Sequence, residues 1–481
     1  MPLTSIKNYI DGQLLDPASG DYLENVNPAI GQVYSQVPNS QLDDIDAAVQ
    51  SAEKAFPKWA GMAAGQRAEI LRKLADLIDQ NRERLVTAES DDNGKPMRLA
   101  RAVDIPRVSA NIRFYAGLSE GFASESHAMP DGINYTLRQP LGVVGVISPW
   151  NLPLYLLSWK IAPALAIGNC VVAKPSEVTP MTAYLFSELC IEAGMPPGVL
   201  NIVHGGGATT GNAMLTHPGI KAISFTGGTE TGEHIARTVA PQFKKFSLEL
   251  GGKNPNVVFA DCDYERTLAT SLQAAFANQG QICLCGSRIL VQQSLHERFL
   301  NDFVARANAM KVGDPHEPDS DLGAVVSQPH QQKILQSIET AEQEGGELQC
   351  GGSAITVEGR CADGFFIQPT VFTGLSNESQ TNQQEIFGPV VTIQSFEDED
   401  QAIALANGTR YGLSSSIWTS DISRGHRMAA RINTGVVWIN TWMVRDLRTP
   451  FGGMKSSGTG REGGQESLRF FTEPKNVFVK Y

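Results

Sequence analysis

Several features that mark common protein classes are missing from the 481-residue sequence. A helix that crosses a membrane needs about 20 consecutive apolar residues, but the most apolar stretch, 160–174, is interrupted by Pro163, Gly168 and Asn169. The N-terminus also lacks the charged segment and apolar core of a secretory signal peptide. We therefore expect a cytoplasmic protein with no membrane partner.

Runs of basic residues are equally scarce. The chain has 39 Lys and Arg against 51 Asp and Glu, a formal net charge of −12, and its basic residues occur at most in adjacent pairs such as Lys244-Lys245. Proteins that bind nucleic acid usually carry a basic patch, and an acidic surface repels anionic lipid. Nucleic acid is therefore not expected as a partner, although arginines inside a pocket could still bind an anion.

Cysteines are few and irregularly spaced. The seven cysteines include no CxxC pair, and Cys283 and Cys285 form a CxC motif without a second pair elsewhere. Zinc sites and the disulfide frameworks of small secreted domains require paired spacings. We therefore expect no metal site, and free thiols in a long chain favour the reducing cytosol.

The apolar residues that are present indicate an α/β protein of two to four domains, at roughly 150 residues per domain. The first third shows helical spacing, for example over 45–56 and 70–85. From Leu141 onwards, short apolar runs alternate with segments long enough for helices, and a second α/β stretch follows over 252–446. The runs lie at 141–147, 170–173, 199–203, 222–225 and 256–259. This alternation predicts a doubly wound parallel sheet, which binds ligands beyond the carboxyl ends of its strands.

Two residues could carry nucleophilic chemistry. Cys283 lies among glycine and small polar residues, as a reactive thiol in a tight turn would, but a lone cysteine is more often a small buried apolar residue. A nucleophilic thiol also needs a base nearby. Glu249, followed directly by Leu-Gly-Gly, is a candidate because partial burial raises a carboxyl pKa. The alternative for Glu249 is an ion pair with Lys253.

Two further features follow predicted strands. Asn151 comes after the first strand of the doubly wound region, where its amide could stabilise an oxyanion, although an Asx turn before Pro153 is the simpler explanation. Gly227, Gly228 and Gly232 lie between a strand and a helix, so their backbone amides could approach a phosphate. The GxGxxG dinucleotide motif is absent, and these glycines alone indicate little.

Taken together and in order, these motifs resemble those of the aldehyde dehydrogenase superfamily over the whole length of the chain. The matching segments are Pro-Trp-Asn at 149–151, Ala-Lys-Pro-Ser-Glu at 173–177, Phe-Thr-Gly at 225–227, Glu-Leu-Gly-Gly-Lys at 249–253, Gly-Gln-x-Cys at 280–283, Glu-Ile-Phe-Gly-Pro at 385–389 and Pro-Phe-Gly-Gly-x-Lys at 450–455. So many motifs in one order do not arise by chance.

The resemblance implies a mechanism for the candidate residues. Cys283 would attack the aldehyde carbon as a thiolate, while the side chain of Asn151 and the backbone amide of Cys283 hold the oxyanion. Hydride would pass to a nicotinamide, and Glu249 would activate water to hydrolyse the thioester. Relatives that transfer the acyl group to coenzyme A usually lack this glutamate, so a free acid is the expected product.

The resemblance also implies a nicotinamide cofactor. Lys174 and Glu177 match residues that bind the adenine ribose hydroxyls, and a carboxylate there would repel a 2′-phosphate, so NAD is expected rather than NADP. The other matching positions are Glu385 at the nicotinamide ribose, Phe387 near the nicotinamide, and Trp150 with the turn of Gly227, Gly228 and Gly232 along the pyrophosphate. Many relatives have serine in place of Gly228, so one hydroxyl contact to a phosphate is lost here.

The family fold divides the chain into parts and implies a homodimer or homotetramer. The parts are a Rossmann-like NAD-binding domain at 1–121 and 141–251, an α/β catalytic domain at 252–446, a small β oligomerisation element made of a hairpin at 122–140 and a C-terminal strand at 466–481, and a Gly-rich return segment at 447–465.

Residues outside the catalytic motifs resemble one subgroup, the 2-hydroxymuconate and 2-aminomuconate semialdehyde dehydrogenases. The similar segments are Ile-Pro-Arg at 105–107, Asn-Ile-Arg-Phe at 111–114, Cys-Leu-Cys at 283–285 and the stretch 440–450. Arg107 and Arg445 would line the substrate tunnel, where guanidinium groups can bind the distal carboxylate of a semialdehyde in bidentate fashion. Arg448 is a reserve candidate.

Several alternatives stay open at this point. Either arginine could pair instead with an internal acid such as Asp104 or Asp446. The substrate could be another aliphatic or aromatic aldehyde, although a betaine aldehyde is disfavoured because its cation would meet two arginines. A protein without activity and a simple cysteine hydrolase are both disfavoured, because Cys283, Glu249 and the cofactor residues are present. The hydroxy and amino substrates are not separated, since two arginines recognise the carboxylate and not the 2-substituent.

Overall fold

The computed structural model describes residues 3–481 as a mixed α/β protein, which confirms the predicted fold class. The elements before the hairpin region are β1 (Thr4–Ser5), β2 (Asn8–Ile10), β3 (Gln13–Leu15), β4 (Tyr22–Asn27), β5 (Gln32–Pro38), α1 (Leu42–Gly61), α2 (Ala64–Gln80), α3 (Arg82–Asn93), α4 (Met97–Leu99), a π-helical turn (Ala100–Asp104) and α5 (Ile105–Glu120). The prediction of helices for the whole first third was wrong for the strands before Leu42. Strands of two to seven residues are too short to show a clear alternation.

The first large sheet follows the hairpin β6 (Ser126–Met129) and β7 (Gly132–Pro140). Its segment contains β8 (Val143–Ile147), α6 (Pro153–Ala166), β9 (Cys170–Lys174), α7 (Met181–Ala193), β10 (Leu200–Ile202), α8 (Asn212–Thr216), β11 (Ile220–Thr226), α9 (Thr229–Val239) and β12 (Lys245–Glu249). The five strands are parallel in the order β12-β11-β8-β9-β10. Beyond β10, β2 pairs antiparallel with β10 and β3 pairs antiparallel with β2. The bounds of β8, β9, β10 and β11 lie within two residues of four predicted apolar runs, because parallel strands buried on both faces have nearly continuous apolar sequences. No apolar run predicts β12, whose sequence Lys-Phe-Ser-Leu-Glu is only partly apolar, and the fifth run, 256–259, coincides with a strand of the second large sheet.

The second large sheet is built from residues 255–439. Its segment contains β13 (Pro255–Val258), α10 (Tyr264–Phe276), β14 (Arg288–Gln292), α11 (Gln293–Asn308), α12 (Gln328–Gln343), β15 (Glu347–Cys350), β16 (Ala354–Ile355), β17 (Phe366–Ile367), β18 (Thr370–Thr373), α13 (Gln380–Gln383), β19 (Val390–Phe396), α14 (Glu399–Asn407), β20 (Tyr411–Gly412), β21 (Ser414–Trp418), α15 (Ile422–Arg431) and β22 (Val436–Ile439). The strand order is β15-β18-β19-β14-β13-β21-β22, parallel throughout except for β15.

The C-terminal segment returns to the first sheet and to the hairpin. It contains β23 (Met454–Lys455), β24 (Gly458–Thr459), α16 (Gly464–Phe470) and β25 (Thr472–Lys480). β24 pairs with β12 at the edge of the first sheet, and β25 pairs with β7 along its whole length. The resulting sheet β25-β7-β6 is largely exposed, and it includes Met129, Leu137, Phe478 and Val479 at 40% to 46% exposure.

Helices pack on both large sheets and leave the strand ends to loops. The largest apolar core surrounds the first sheet and includes side chains of α1, α2, α5, α6 and α7. On the second sheet, α10 and α11 cover one face, and α14 and α15 the other. No helix within residues 3–481 is long and apolar enough to cross a membrane. The carboxyl ends of the strands thus remain free to carry site residues.

A glycine supports the strand that ends at Glu249. Gly458 of β24 lies opposite Glu249, has a φ of +136°, and would place a Cβ 2.0 Å from the backbone oxygen of Leu248. We expect Gly458→Ala to lower the free energy of unfolding by about 2–3 kcal/mol and to reduce activity, because β24 and β12 must separate. Chemical unfolding measures the first effect and initial rates the second.

The matched control for this variant is Gly117→Ala. Gly117 lies exposed in α5, where a Cβ would meet no atom within 4 Å, and alanine favours a helix over glycine. The control is therefore expected to be as stable as the native protein or more so. A Gly458→Ala protein with the stability of the control would contradict the prediction.

Candidate active site

Four parallel strands of the first sheet end at one edge and carry candidate residues there. Asn151 follows β8, Lys174 ends β9, Gly227 follows β11 and Glu249 ends β12. The register pairs Thr226 with Glu249, and the backbone N–H of Gly227 donates to Glu249 O at 3.0 Å. This is the edge at which doubly wound sheets bind ligands.

The turn before Cys283 has an unusual backbone conformation. Asn278 and Gln279 have φ of 51° and 57°, which costs non-glycine residues on the order of 1–3 kcal/mol each. Their side chains hold the turn, because Asn278 Nδ2 donates to Asn151 O at 3.0 Å and Gln279 Nε2 to Ala324 O at 2.8 Å. These bonds fix the loop that presents Cys283 beside Asn151.

Cys283 faces an open cavity. The predicted site residues that the structure brings together in its lining are Asn151, Cys283, Trp150, Gly227, Gly228, Glu385 and Phe387. Lining residues that the sequence reasoning missed are Pro149, Thr226, Leu250, Gly251, His330 and Lys333. The first four belong to the motifs quoted above and could have been found, whereas nothing in the sequence of α12 marks His330 or Lys333.

Asn151 is buried and directed towards the loop of Cys283. Its Nδ2 donates to the backbone oxygen of Gln281 at 2.9 Å, so the amide reaches across to this loop instead of closing a local turn before Pro153. An amide nitrogen carries two hydrogens. The second hydrogen can therefore serve a ligand oxygen beside Cys283.

Glu249 is buried without a polar partner. It is 3% exposed, and neither of its carboxylate oxygens contacts a hydrogen-bond donor within residues 3–481, so the alternative ion pair with Lys253 is not formed. Burial raises the pKa of Glu249 well above its ordinary value, the charge of Glu462 raises it further, and that of Lys160 opposes the rise. A carboxyl group of raised pKa with free oxygens is suited to accept a proton from water.

Cys283 is partly exposed, and its surroundings set the pKa of its thiol. Burial raises the pKa of Cys283, and the nearby carboxylates of Glu385 and Glu249 raise it further. The guanidinium of Arg445 acts in the opposite direction and lowers this pKa. Charges on both sides of the thiol therefore control how readily the thiolate forms.

Aromatic side chains and a carboxylate form the opposite wall of the cavity. Glu385 Oε1 accepts from the backbone N–H of Gly252 at 2.9 Å, and burial raises the pKa of Glu385 to about 7. Phe387, with a φ of 61°, is held by His330, whose Nε2 donates to Phe387 O at 2.8 Å. The ring of Trp150 packs edge-on against both His330 and Phe387, with centroids 5.0 and 5.1 Å apart.

Lys174, Glu177 and Gly232 are predicted site residues that do not line this cavity. Lys174 Nζ contacts Glu177 Oε2 at 3.1 Å at the end of β9, and Glu177 Oε1 accepts from the N–H of Gly207 at 3.2 Å. In α9, a Cβ on Gly232 would lie 2.4 Å from Leu250 Cδ2. Gly232 therefore permits close packing of α9 against the end of β12.

Arg107 and Arg445 share a cage of aromatic rings. The guanidinium of Arg107 lies 5.5 Å from the ring centre of Tyr155, and that of Arg445 lies 3.8 Å from the ring centre of Phe451. Both guanidinium groups also lie over Trp159, at 5.7 and 5.4 Å. The aromatic faces stabilise the two cations without neutralising either charge.

The internal acids considered for these arginines are engaged elsewhere. Asp104 contacts Lys95 at 3.1 Å, and Asp446 contacts Arg448 at 2.5 Å. In the part of the chain that the structure describes, neither Arg107 nor Arg445 forms an ion pair with a carboxylate, and Arg107 Nη2 is buried without an acceptor. Two cations are thus left close together for a ligand.

The comparison with known proteins agrees with this geometry. The family model described as "Aldehyde dehydrogenase family" matches residues 15–477. The chain belongs to the aldehyde dehydrogenase family. The enzyme is 47% identical over 480 residues to the 2-aminomuconic semialdehyde dehydrogenase of Danio rerio, covering 99% of this chain and 98% of that protein. It is 45% identical to the 2-hydroxymuconic semialdehyde dehydrogenase of Pseudomonas sp. (strain CF600), covering 99% of this chain and all of that protein.

Solved structures show the same fold for this dehydrogenase. The NAD+ complex of an aldehyde dehydrogenase from Bacillus cereus superposes with a TM-score of 0.96 at 40% identity, covering 99% of this chain and 96% of that one. The enzyme is accordingly an oxidoreductase with the family's architecture.

The dehydrogenase offers a test of the charges around its thiol. Above the pKa of Glu249 its carboxylate opposes the thiolate, so we expect Glu249→Gln to move the pH profile of Cys283 alkylation by iodoacetamide towards lower pH. Loss of the base is also expected to slow thioester hydrolysis by about 100-fold or more. Alkylation rates against pH and steady-state turnover measure the two effects.

Cys262 is partly exposed, like Cys283, and can also react with iodoacetamide. Its contribution is measured in the Cys283→Ser variant and subtracted. A shift of the profile towards higher pH in Glu249→Gln would show that the carboxylate does not act on the thiol as described.

Proposed function

We propose that the dehydrogenase oxidises a semialdehyde with a distal carboxylate, 2-hydroxymuconate or 2-aminomuconate 6-semialdehyde, to the corresponding acid. The observation that carries this proposal is the pair of unneutralised guanidinium groups of Arg107 and Arg445. A partly buried cation without a counter-ion is unfavourable, and the carboxylate of such a substrate would supply one. The names of the relatives that act on muconic semialdehydes support the same substrate class.

The aromatic cage lies beside the thiol. Phe451, which carries Arg445 on its face, belongs to the same apolar cluster as Cys283, together with Trp442 and Met443. The cavity with Glu385 and Phe387 also opens at Cys283. A substrate held by the arginines would therefore approach the thiol from one side, and a cofactor from the other.

In the proposed reaction, the thiolate of Cys283 attacks the aldehyde carbon. The amide of Asn151 and the backbone N–H of Cys283 donate to the oxygen as it becomes negative. When bound, a nicotinamide dinucleotide supplies the hydride acceptor, and loss of hydride leaves a thioester on Cys283. Glu249 then takes a proton from water, whose oxygen attacks the thioester carbon and releases the acid and the thiol.

The residues of the cavity fit a nicotinamide dinucleotide. A Cβ on Gly228 would meet no atom within 4 Å, so the N-terminus of α9 is open to a phosphate. The buried carboxylate of Glu385 can accept from ribose hydroxyls. NAD is favoured over NADP because the carboxylate of Glu177, placed by Lys174 at the end of β9, would repel a 2′-phosphate. The Bacillus cereus relative, solved with NAD+, supports this cofactor class.

The exposed sheet β25-β7-β6 supports assembly into a homodimer or homotetramer, because its partly exposed apolar side chains would be covered by a second copy. The proposed domains assign 1–121 and 141–251 to cofactor binding, 252–446 to catalysis, and 122–140 with 466–481 to this assembly. Seven free thiols support a reducing compartment, the cytoplasm.

The substrate assignment is tested by removing the arginines. We expect Arg107→Ala or Arg445→Ala to raise KM for 2-hydroxymuconate 6-semialdehyde by at least about tenfold, since a charge-assisted bond contributes about 1.5–3 kcal/mol. KM for hexanal, an uncharged aldehyde of similar length, should change little. Initial rates of NADH formation with both substrates measure the effect.

Arg113→Ala is the matched control for the carboxylate clamp formed by the pair Arg107 and Arg445. Arg113 lies on the same helix as Arg107, but its guanidinium is partly exposed and pairs with Asp76 and Asp79. Its removal should leave both KM values unchanged. Equal effects of Arg107→Ala and Arg445→Ala on the two substrates would exclude a carboxylate clamp.

The cofactor assignment is tested at Glu177. We expect Glu177→Gln to raise kcat/KM for NADP+ relative to NAD+, because the amide removes the negative charge near the 2′ position while keeping the shape of the side chain. The ratio of the two kcat/KM values measures the change. An unaltered ratio would place the 2′ position away from Glu177.

A further inference from the structure

A buried lysine outside the predicted site residues joins three segments at the active site. Lys95 Nζ donates to Asp104 Oδ1 at 3.1 Å and to the backbone oxygen of Asn151 at 3.1 Å, and it contacts Glu89 Oε1 at 3.5 Å. The side chains of Lys95, Glu89 and Asp104 are fully buried. An ammonium group has three hydrogens, so each of them can be directed to one of these three oxygens.

The hydrogen bond from Lys95 to the backbone oxygen of Asn151 helps to fix Asn151. Its backbone oxygen also accepts from Asn278 Nδ2 at 3.0 Å and from Asn93 Nδ2 at 3.4 Å, while its own side chain points to Gln281. A donor that stabilises an oxyanion has to be held in place before the reaction. Lys95 is the charged member of the group that holds this residue.

The contact of Lys95 with Asp104 connects it to the helix that carries Arg107. Asp104 ends the π-helical turn, and α5 begins at the next residue. Arg107 therefore follows Asp104 by nearly one helical turn. π-Helical turns are uncommon and frequently occur at functional sites. Because α5 is continuous from this point, a displacement of Asp104 displaces Arg107 as well.

We propose that Lys95 is a positioning residue that couples Asn151 to Arg107 and so sets the separation at which the enzyme holds an aldehyde and a distal carboxylate. The inference rests on the proposed function, in which Asn151 binds the oxyanion and Arg107 the carboxylate. A conjugated semialdehyde is rigid, so its two ends lie at a nearly fixed distance. Both ends bind only if the two protein groups have the matching separation.

The test is a double-mutant cycle of Lys95→Met and Arg107→Ala, measured with 2-hydroxymuconate 6-semialdehyde and with hexanal. Lys95→Met is expected to lower kcat for hexanal by about 10- to 100-fold with little change in KM, because the oxyanion donor is displaced. For the semialdehyde, kcat/KM should fall by about a further tenfold. That further loss should disappear when Arg107 is already alanine.

Lys244→Met is the matched control for loss of a buried ammonium. Lys244 is 8% exposed and donates to the backbone oxygens of Leu215 and His217 at 2.7 and 2.8 Å, at the far end of β12 from Glu249. It should lower the melting temperature and leave both kcat values close to the native ones. A folded Lys95→Met enzyme that behaves in the same way would overturn the proposal, as would additive effects in the cycle.

Asp104→Asn keeps the size of the side chain and weakens only the ion pair between Lys95 and the residue before α5. The proposal therefore stays testable if Lys95→Met does not fold. We expect a lower ratio of semialdehyde to hexanal kcat/KM, with kcat for hexanal nearly unchanged. An unchanged ratio overturns the coupling. If Arg107→Ala alone affected both substrates equally, Arg107 would not bind the carboxylate. The proposed function at this residue and the coupling that rests on it would then both be wrong.

Discussion

The carboxylate of Glu249 is buried without a polar partner, the thiol of Cys283 is only partly exposed, and two guanidinium groups nearby form no ion pair with a carboxylate in the described residues. In such surroundings the interaction between charges is much stronger than in water. The protonation of the thiol therefore depends on Glu385, Glu249 and Arg445 together. Partial removal of water is the constraint through which these charges act on one another, and it is the basis of the proposed preference for an anionic substrate.

The sequence predicts the parts of this site that lie in local patterns. Buried parallel strands have continuous apolar sequences, so the ends of β8, β9, β10 and β11 could be placed within two residues, whereas β12 with its polar side chains could not. The contacts of His330 and Lys95 depend on the packing of distant segments, and no local signal marks them. The sequence also could not decide whether the two arginines pair with Asp104, with Asp446 or with a ligand. The structure decides against the two acids, because Asp104 pairs with Lys95 and Asp446 with Arg448.

The two large sheets are joined at the site by direct bonds between their loops. Asn278 and Gln281, from the loop of the second sheet, contact Asn151 of the first. On the cavity's other side, Gly252 after the first sheet binds Glu385 before β19. The groups that would hold the oxyanion and the cofactor are thus each shared between the sheets, and the reactive geometry exists only when both sheets are in place.

The return segment brings a residue without a side chain next to Glu249. A Cβ on Gly452 would lie 2.8 Å from Glu249 Oε1, which is inside the contact distance of a methyl group and an oxygen. The missing methyl lets the return segment pass close to the carboxylate without displacing it. The position of this carboxylate thus depends on an atom that the chain omits, and a larger residue at position 452 would push Glu249 out of its place.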